Sequence, residues 1–353
     1  MTPRENLRSL FRREGACYAP PDFSLCPSLV ETYHARTGSD LPYADYFGFP
    51  WRHVPDIRPV TFLPEAQRFF AHPFAPGTEI DAWGVAHEPG SSAAMHMTRM
   101  HHPLAGISDI GRIRAYPLPD FAGGDGASQT SEASAIHARG LAAVGNMQCT
   151  VWETAWYLRG MEDLMCDMMD DDPIATYLLD AVTERAITRA LSYVRAGVDY
   201  LYLGDDIGTQ RGPMMSLPLY REWIWPRLKA VIDAAKAENP DLLVLYHSCG
   251  LVTPFIDDLI AAGVDILNPI QSECMDFREI IRTYGDRLSF HGCIGTQTVM
   301  PFGTPQEVRD TVHACLDACG PRGGMLAAPT HLLEPEVPWE NVLAYVEACT
   351  AWR

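Results

Sequence analysis

The second half of the chain repeats a helical segment, a glycine stop and a short apolar run. The clearest copies of this junction are Ala196-Gly-Val-Asp199 and Ala262-Gly-Val-Asp265, and each leads directly into apolar residues. Glycine commonly ends a helix because it adopts the left-handed conformation at little cost. Short buried strands that alternate with helices form a parallel sheet, since each strand needs a crossover to re-enter the sheet in the same direction. The pattern therefore predicts an α/β protein built from βα units.

Five such units follow one another, with strands predicted at residues 199–203, 241–246, 264–268, 287–290 and 323–327. Three more units fit between residues 79 and 155, and eight βα units close into a (β/α)8 TIM barrel. We therefore predict an α/β TIM barrel over residues 76–353, with its first strand beginning at Glu79. Residues 1–75 are rich in proline and aromatic residues, which indicates an irregular N-terminal cap segment packed on the barrel.

An open doubly wound sheet is the alternative arrangement of the same units. Such a sheet normally carries a glycine-rich phosphate-binding loop after its first strand. Neither G-x-G-x-x-G nor G-x-x-x-x-G-K-[ST] occurs in the sequence. The closed barrel is therefore favoured over the open sheet.

The charge of the chain excludes some classes of partner. Its formal net charge is −18, and it has no basic run that would bind nucleic acid or an anionic membrane. The N-terminus lacks the apolar core of a signal peptide, and no run of eighteen apolar residues occurs, so we expect a cytoplasmic protein. Ten scattered cysteines are expected to be reduced. The expected partner is a small-molecule substrate, and a homodimer is left open.

Polar side chains follow each of the five predicted strands. In a TIM barrel the loops after the strands converge on one mouth, so these side chains would surround a single pocket. The candidates are Asp205, Asp206, Gln210, His247, Cys249, Gln271, His291, Cys293 and His331.

His247 and Cys249 are the strongest candidates for metal ligands. They lie two residues apart at the end of a strand, so their side chains are expected on the same face, and imidazole and thiolate are both zinc ligands. His331 is the best third ligand, which leaves a fourth position open for water or a substrate thiol, as in catalytic zinc sites. His291 and Cys293 repeat the spacing and could serve as ligands instead, but they are predicted to contact the substrate. For Cys293, core packing is a further alternative.

Asp205, Asp206 and Gln210 are the candidates for acid–base or orienting roles. Neighbouring residues of a strand face opposite ways, so we expect one carboxylate to point into the mouth while the other caps the next turn. Gln210 and Gln271 can hydrogen-bond a polar ligand, with solvated surface amides as the equal alternative.

Several stretches resemble the uroporphyrinogen decarboxylase superfamily from about residue 102 to residue 347. They are His102-Pro-Leu-Ala-Gly106, Tyr116-Pro-Leu-Pro-Asp120, Arg159-Gly-Met-Glu162, Gly204-Asp-Asp-Ile-Gly-Thr-Gln210, His247-Ser-Cys-Gly250, Asn268-Pro-Ile-Gln271, His291-Gly, Ala328-Pro-Thr-His331 and Trp339-Glu-Asn341. The resemblance implies a single (β/α)8 barrel and places His102 among the substrate-binding residues.

The resemblance is closer to one branch of the superfamily than to the other. Members that decarboxylate uroporphyrinogen carry an arginine-rich N-terminal segment, which this sequence lacks. The corrinoid-dependent methyltransferase branch uses His-x-Cys and a later Cys to bind zinc, which activates a thiol. His247 and Cys249 match that pattern, but the later position is His331 here.

The resemblance thus implies a zinc-dependent enzyme that transfers methyl groups to or from a small thiol or methylated substrate, with a corrinoid on a partner protein. An imidazole in place of the later thiolate also suits copper or iron. Copper- or iron-dependent oxidation or rearrangement of a small thiol is therefore the alternative function, and a metal-free decarboxylase is the second alternative.

Overall fold

A curled sheet of seven parallel strands forms the centre of the computed structural model, which describes residues 1–90 and 98–352. The strands of this sheet, in spatial order, are β1 (Trp51–Val54), β5 (Ala142–Met147), β6 (Tyr200–Gly204), β7 (Leu243–His247), β8 (Ile266–Asn268), β9 (Ser289–Ile294) and β10 (Met325–Pro329). A separate antiparallel sheet contains β2 (Glu79–Ile80), β3 (Ala86–Glu88) and β4 (Arg99–His101).

The described helices lie before, between and after the strands of the parallel sheet. They are α1 (Pro3–Phe11), α2 (Pro27–Thr37), α3 (Tyr43–Tyr46), α4 (Leu63–Ala66), α5 (Ile110–Arg114), α6 (Gly126–Ala138), α7 (Trp152–Arg159), α8 (Met161–Met169), α9 (Pro173–Ala196), α10 (Leu217–Leu219), α11 (Trp225–Glu238), α12 (Ile256–Ala262), α13 (Phe277–Tyr284), α14 (Val299–Phe302), α15 (Pro305–Cys319) and α16 (Trp339–Ala351). None of those described is long and apolar enough to cross a membrane.

The local signals of α9 explain its bounds. Asp172 caps its first turn by accepting a hydrogen bond from the Ile174 N–H, and Pro173 occupies the first helical position, where no N–H is needed. Gly197 ends the helix in the left-handed conformation, at φ 88°. The chain then enters β6, as the repeated junction predicts.

The five later strands are confirmed, but the first part of the predicted barrel is wrong. Of the described residues between 79 and 155, which exclude 91–97, only those of β5 join the parallel sheet. The run that begins at Glu79 turns back on itself because Asp81 accepts hydrogen bonds from the Trp83 and Val85 N–H groups, and Gly84 adopts φ 84°. It therefore forms β2 and β3 of the antiparallel sheet.

The first parallel strand, β1, lies inside the segment that was predicted to be a cap. Residues 51–54 pair in parallel with residues 142–145 of β5. A strand of four residues between prolines gives little alternation to detect. Among the described residues, the hydrogen-bonded sheet therefore contains seven strands rather than eight, with β1 and β10 at its edges.

Residues 22–25 run along the open side of the sheet between β10 and β1. Leu25 forms an isolated parallel bridge with Leu333, just after β10. The ring of Phe23 packs at 4.8 Å from that of Phe49, just before β1. The N-terminal segment thus covers the side that an eighth strand would close.

Helix α1 fills the amino-terminal end of the curled sheet. Leu7, Leu10 and Phe11 are buried against the inward side chains of the parallel strands, including Tyr200 and Leu326. A capping box between Thr2 and Glu5 starts this helix. With that end plugged, the carboxyl ends of the strands form the accessible side of the sheet.

Candidate metal and substrate site

Three potential metal ligands meet at the carboxyl ends of β6 and β7. One ligand atom each of Asp206, His247 and Cys249 lies within 4.8 Å of the other two. His247 Nε2 is 3.5 Å from Cys249 Sγ and 3.7 Å from Asp206 Oδ1. The strand register explains the meeting, since His247 pairs with Gly204 and the carboxylate follows two residues later.

The imidazole of His247 is held in place by a hydrogen bond at its Nδ1 atom. Its Nδ1 lies 2.6 Å from Asn268 Oδ1, and the Tyr202 hydroxyl donates to the same oxygen at 2.9 Å. Asn268 Nδ2 donates to the His291 carbonyl at 2.8 Å, which directs Oδ1 towards the imidazole. His247 therefore carries its proton on Nδ1 and presents the lone pair of Nε2 to Cys249 and Asp206, as a metal ligand must.

The two adjacent aspartates face opposite ways. The Asp206 carboxylate points towards His247 and Cys249, with which it forms the three-ligand group. It accepts a hydrogen bond from the Cys249 N–H at 2.7 Å. Asp205 is fully buried and accepts hydrogen bonds from the Val151 and Glu153 N–H groups at the start of α7. Asp206 thus has access to chemistry at the mouth, whereas Asp205 caps a helix.

A partly buried acid, Glu153, lies beside Asp206 of the three-ligand group. Burial, followed by the charge of Asp206, raises the pKa of Glu153 to about 7. The Tyr157 hydroxyl donates to its Oε1 at 3.1 Å, and the thiol of Cys149 donates to the same hydroxyl at 3.5 Å. Near neutral pH the site therefore contains a carboxyl group that can hold or release a proton.

Gln210 and Gln271 pair with each other. Their side-chain amides exchange hydrogen bonds of 3.1 and 3.3 Å, and Gln271 Oε1 also accepts from the Gly250 N–H at 2.8 Å. The thiol of Cys274 donates to Gln210 Oε1 at 3.2 Å. The pair therefore braces the loop that carries Cys249.

His291 and Cys293 do not share a face, contrary to the expectation for two residues of one strand. Gly292 and Cys293 both have positive φ, at 132° and 81°, which interrupts the alternation of the strand. His291 lines a cavity and its Nε2 binds Asp22 Oδ2 at 2.7 Å. Cys293 is fully buried, 4.0 Å from the sulfur of Met325. Its predicted contact with substrate is therefore wrong.

His331 is not part of the three-ligand group. It lines the same cavity as His247 and His291, which has a volume of about 530 Å³. Among the described residues, the group of side chains within metal-binding distance contains Asp206 and does not include His331. The carboxylate occupies the third position that the sequence assigned to His331.

His102 lies away from the cavity. Its Nδ1 is 2.8 Å from the carbonyl oxygen of Tyr157, and its ring lies against Trp156. It is not among the residues that line the cavity. His102 therefore braces the carboxyl end of α7, and its contact with the substrate stays a prediction.

Sequence reasoning missed Asn268, Tyr202, Glu153 and Asp22 as residues of the site. Asn268 carried a usable signal, because it is a polar residue at the end of an apolar strand, as His247 is. Glu153 follows β5, in the region where the predicted units were placed incorrectly. Tyr202 and Asp22 had no comparable signal, since one reads as a strand residue and the other as part of a proline-rich segment.

The three-ligand group fits a zinc ion by the chemistry of its donors. Imidazole nitrogen, thiolate sulfur and carboxylate oxygen are the three protein ligands that zinc takes. Burial, followed by the nearby charges of Asp206 and Glu153, raises the pKa of the Cys249 thiol. A dication reverses that effect, because it stabilises the thiolate and offsets the neighbouring carboxylates.

The curled seven-stranded parallel sheet defines an α/β protein, with a group of three potential metal ligands at the carboxyl edge of the sheet. Residues 107–352 match the sequence model of the uroporphyrinogen decarboxylase (URO-D) family. The chain belongs to this family, and the predicted family is confirmed.

The relatives are methyltransferases. The chain is 24% identical over 203 residues to a methylated-thiol–coenzyme M methyltransferase of Methanosarcina mazei, covering 55% of the chain and 49% of the relative. It is 26% identical over 171 residues to the methylcobamide:CoM methyltransferase MtaA of Methanosarcina barkeri, and this match covers 48% of the chain and 47% of the relative. The matched part thus spans about half the length of these relatives. The likeness to the methyltransferase-like branch is confirmed.

A solved structure supports the fold over the whole chain. The structure of a methyltransferase from Methanosarcina mazei superposes with a TM-score of 0.66 and covers 99% of this chain and 98% of that one. The sequence identity is 17%. The two chains therefore share a fold.

Proposed function

We propose that this chain is a metal-dependent enzyme of the methyltransferase class, in which zinc held by His247, Cys249 and Asp206 activates a thiol. One observation carries the proposal: the ligand atoms of these residues lie within 4.8 Å of one another at the carboxyl ends of two parallel strands. Three protein ligands leave a fourth position for a substrate, which is the arrangement of catalytic zinc.

Zinc at this group would lower the pKa of a substrate thiol and hold its thiolate as a nucleophile. The chain prepares the position beforehand. Asn268 keeps the proton of His247 on Nδ1, and the Cys249 N–H fixes the Asp206 carboxylate at 2.7 Å. Because these groups are held by hydrogen bonds before a ligand arrives, little reorganisation is needed for binding.

The names of the relatives support methyl transfer from a corrinoid to a thiol, or from a methylated thiol. We therefore propose that a corrinoid protein is the partner and that a small sulfur compound is the substrate. His331, which lines the cavity beside the metal group, is proposed to contact that substrate instead of the metal.

The copper or iron alternative depended on a second imidazole ligand. In the group proposed here the third donor is a carboxylate, which is a harder ligand than imidazole; it disfavours Cu(I), whereas zinc and iron both accept it. The metal-free decarboxylase alternative predicts an active protein without any metal. Metal analysis therefore separates all three functions.

The experiment combines metal content with activity. Purified protein is expected to contain about one zinc per chain, because three protein ligands with an open fourth position are typical of catalytic zinc. Cys249→Ser and His247→Ala should lose the metal and the transfer of a methyl group from methylcobalamin to a thiol. Cys166→Ser, which changes an exposed cysteine, is the matched control. Methyl transfer by protein freed of metal would overturn the proposal.

A further inference from the structure

The cavity beside the metal group has room for a molecule much larger than a metal ligand. Its volume of about 530 Å³ lies within the usual range of small-molecule sites. Its wall includes the carboxyl ends of the parallel strands and residues 22–24 of the N-terminal segment. His247 belongs to both the cavity wall and the metal group, so a molecule in the cavity contacts the metal-binding imidazole.

The charge in this cavity differs from the charge of the whole chain. The chain carries a formal charge of −18, but Asp22 is the one aspartate or glutamate among the described residues of the wall. That carboxylate already binds His291 Nε2 at 2.7 Å. The basic side chains of the wall are Arg52, His53, His247, His291 and His331. Arg52 is paired with Asp45, so the imidazoles are the groups that remain to bind a ligand. Because the one carboxylate of the described wall is already paired, the wall suits a hydrogen-bond acceptor such as an anionic group better than a cation.

His53 is the basic group most available to a ligand. It is accessible to solvent from the cavity, and its ring lies edge-on to Trp51 with the centroids 4.6 Å apart. In residues 1–90 and 98–352 its imidazole has no hydrogen-bonding partner. Burial lowers the pKa of His53, while the charge of Asp22 acts in the opposite direction. A neutral imidazole still offers one N–H to an acceptor.

Aromatic rings form another part of the wall. The ring centroid of Phe23 lies 5.8 Å from that of Tyr43, with the rings stacked, and 4.8 Å from that of Phe49, with the rings edge-on. All three line the cavity, as does Trp51. Such a surface favours a flat apolar ring over a short aliphatic chain.

We propose that this cavity binds an aromatic carboxylate, with its ring on the Phe23, Tyr43 and Phe49 side and its carboxylate at His53. That this acid is the molecule on which methyl transfer acts rests on the function proposed above. The ligand class itself rests on the cavity alone. His53 thus determines specificity by donating a hydrogen bond to the carboxylate, and His247, which belongs to both the wall and the three-ligand group, lies next to the bound molecule.

Benzoate and benzamide test the proposal, because they have the same shape and differ in charge. Their binding is measured by calorimetry on the full chain in the presence of a chelator, so that the result does not depend on zinc. Benzoate should bind about tenfold more tightly than benzamide, since hydrogen bonds to a charged acceptor are the stronger ones. His53→Leu should remove this preference, because leucine has no N–H to donate, and His53→Lys should retain it.

His34→Leu, which changes an exposed histidine on α2, is the control and should leave the preference unchanged. Equal binding of the two probes, no binding of either, or a preference that survives His53→Leu would overturn the inference. Methyl transfer by the metal-free protein would instead overturn the proposed function, and the proposed ligand class would not be affected. The two failures are therefore distinguishable.

Discussion

Asn268 Oδ1 lies 2.6 Å from His247 Nδ1, on the side of the imidazole opposite to Cys249. The Asn268 amide is itself oriented by its hydrogen bond to the His291 carbonyl. Strands β7, β8 and β9 are neighbours in the sheet, so three adjacent strand ends together fix the direction of one lone pair. The parallel register thereby prepares a metal ligand.

Asn268→Ala should lower the affinity for zinc by about 10- to 100-fold, as is typical when the partner behind a metal-binding histidine is lost. The imidazole remains but can rotate and change tautomer. The affinity is measured by competition with a coloured chelator. Asn239→Ala, at the partly buried C-terminal end of α11, is the control. An unchanged affinity would show that Asn268 does not position the ligand.

The two neighbouring aspartates should give opposite results. Asp206→Asn should weaken zinc binding and leave the free energy of unfolding in chelator nearly unchanged, because this side chain is partly exposed. Asp205→Ala should lower that free energy by about 3 kcal/mol, since it leaves the buried Val151 and Glu153 N–H groups without their side-chain acceptor. Urea unfolding and metal content, measured on both variants, check the assignment. Similar losses in both would contradict it.

The repeat of helix, glycine and apolar run was sufficient to predict β6 to β10, because these strands are buried on both faces and flanked by clear helix ends. The same reasoning placed His247 and Cys249 together, since the spacing of two survives up to the end of a strand. It also predicted that Asp205 and Asp206 would diverge. These features depend on short-range geometry, which a sequence reports well.

Features that depend on loops could not be predicted in this way. His331 follows β10, and the direction of a side chain beyond a strand end depends on the turn. Cys293 points into the core and not into the pocket because Gly292 and Cys293 both adopt positive φ. The residue type of Cys293 does not predict this backbone conformation. The strand at residues 51–54 is too short to show a period, and its pairing with β5 spans about ninety residues of sequence.

Cys293→Ser should test whether that thiol is part of the core. A hydroxyl at this fully buried position lacks a good acceptor beside Met325, so the free energy of unfolding should fall by about 2 kcal/mol. Zinc content should remain as in the unmodified protein. Cys249→Ser should show the reverse, with the metal lost and the stability in chelator nearly unchanged. Loss of zinc from Cys293→Ser would return this residue to the site.

The carboxylate of Asp199 connects α1 to the amino-terminal end of the sheet. Its side chain is fully buried and accepts hydrogen bonds from Arg4 at 2.9 Å, Arg8 at 2.8 Å and the Ala143 N–H at 3.0 Å. His137 Nε2 lies 2.9 Å away. Burial alone would raise the pKa of Asp199, but the hydrogen bonds from Arg8, Ala143 and Arg4 outweigh it and lower the pKa.

A lowered pKa means that folding favours the ionised form of Asp199. The stability from this group is therefore fully present above its unfolded pKa, near pH 4, and is lost as the pH falls through the lower folded value. Asp199→Asn should reduce the free energy of unfolding by about 3 kcal/mol at pH 7, because two arginines lose their charged partner. The difference from the unmodified protein should shrink below about pH 4. Urea unfolding from pH 7 to pH 3 measures it, with the exposed Asp310→Asn as the control, and a difference that stays constant with pH would contradict the role of the ionised carboxylate.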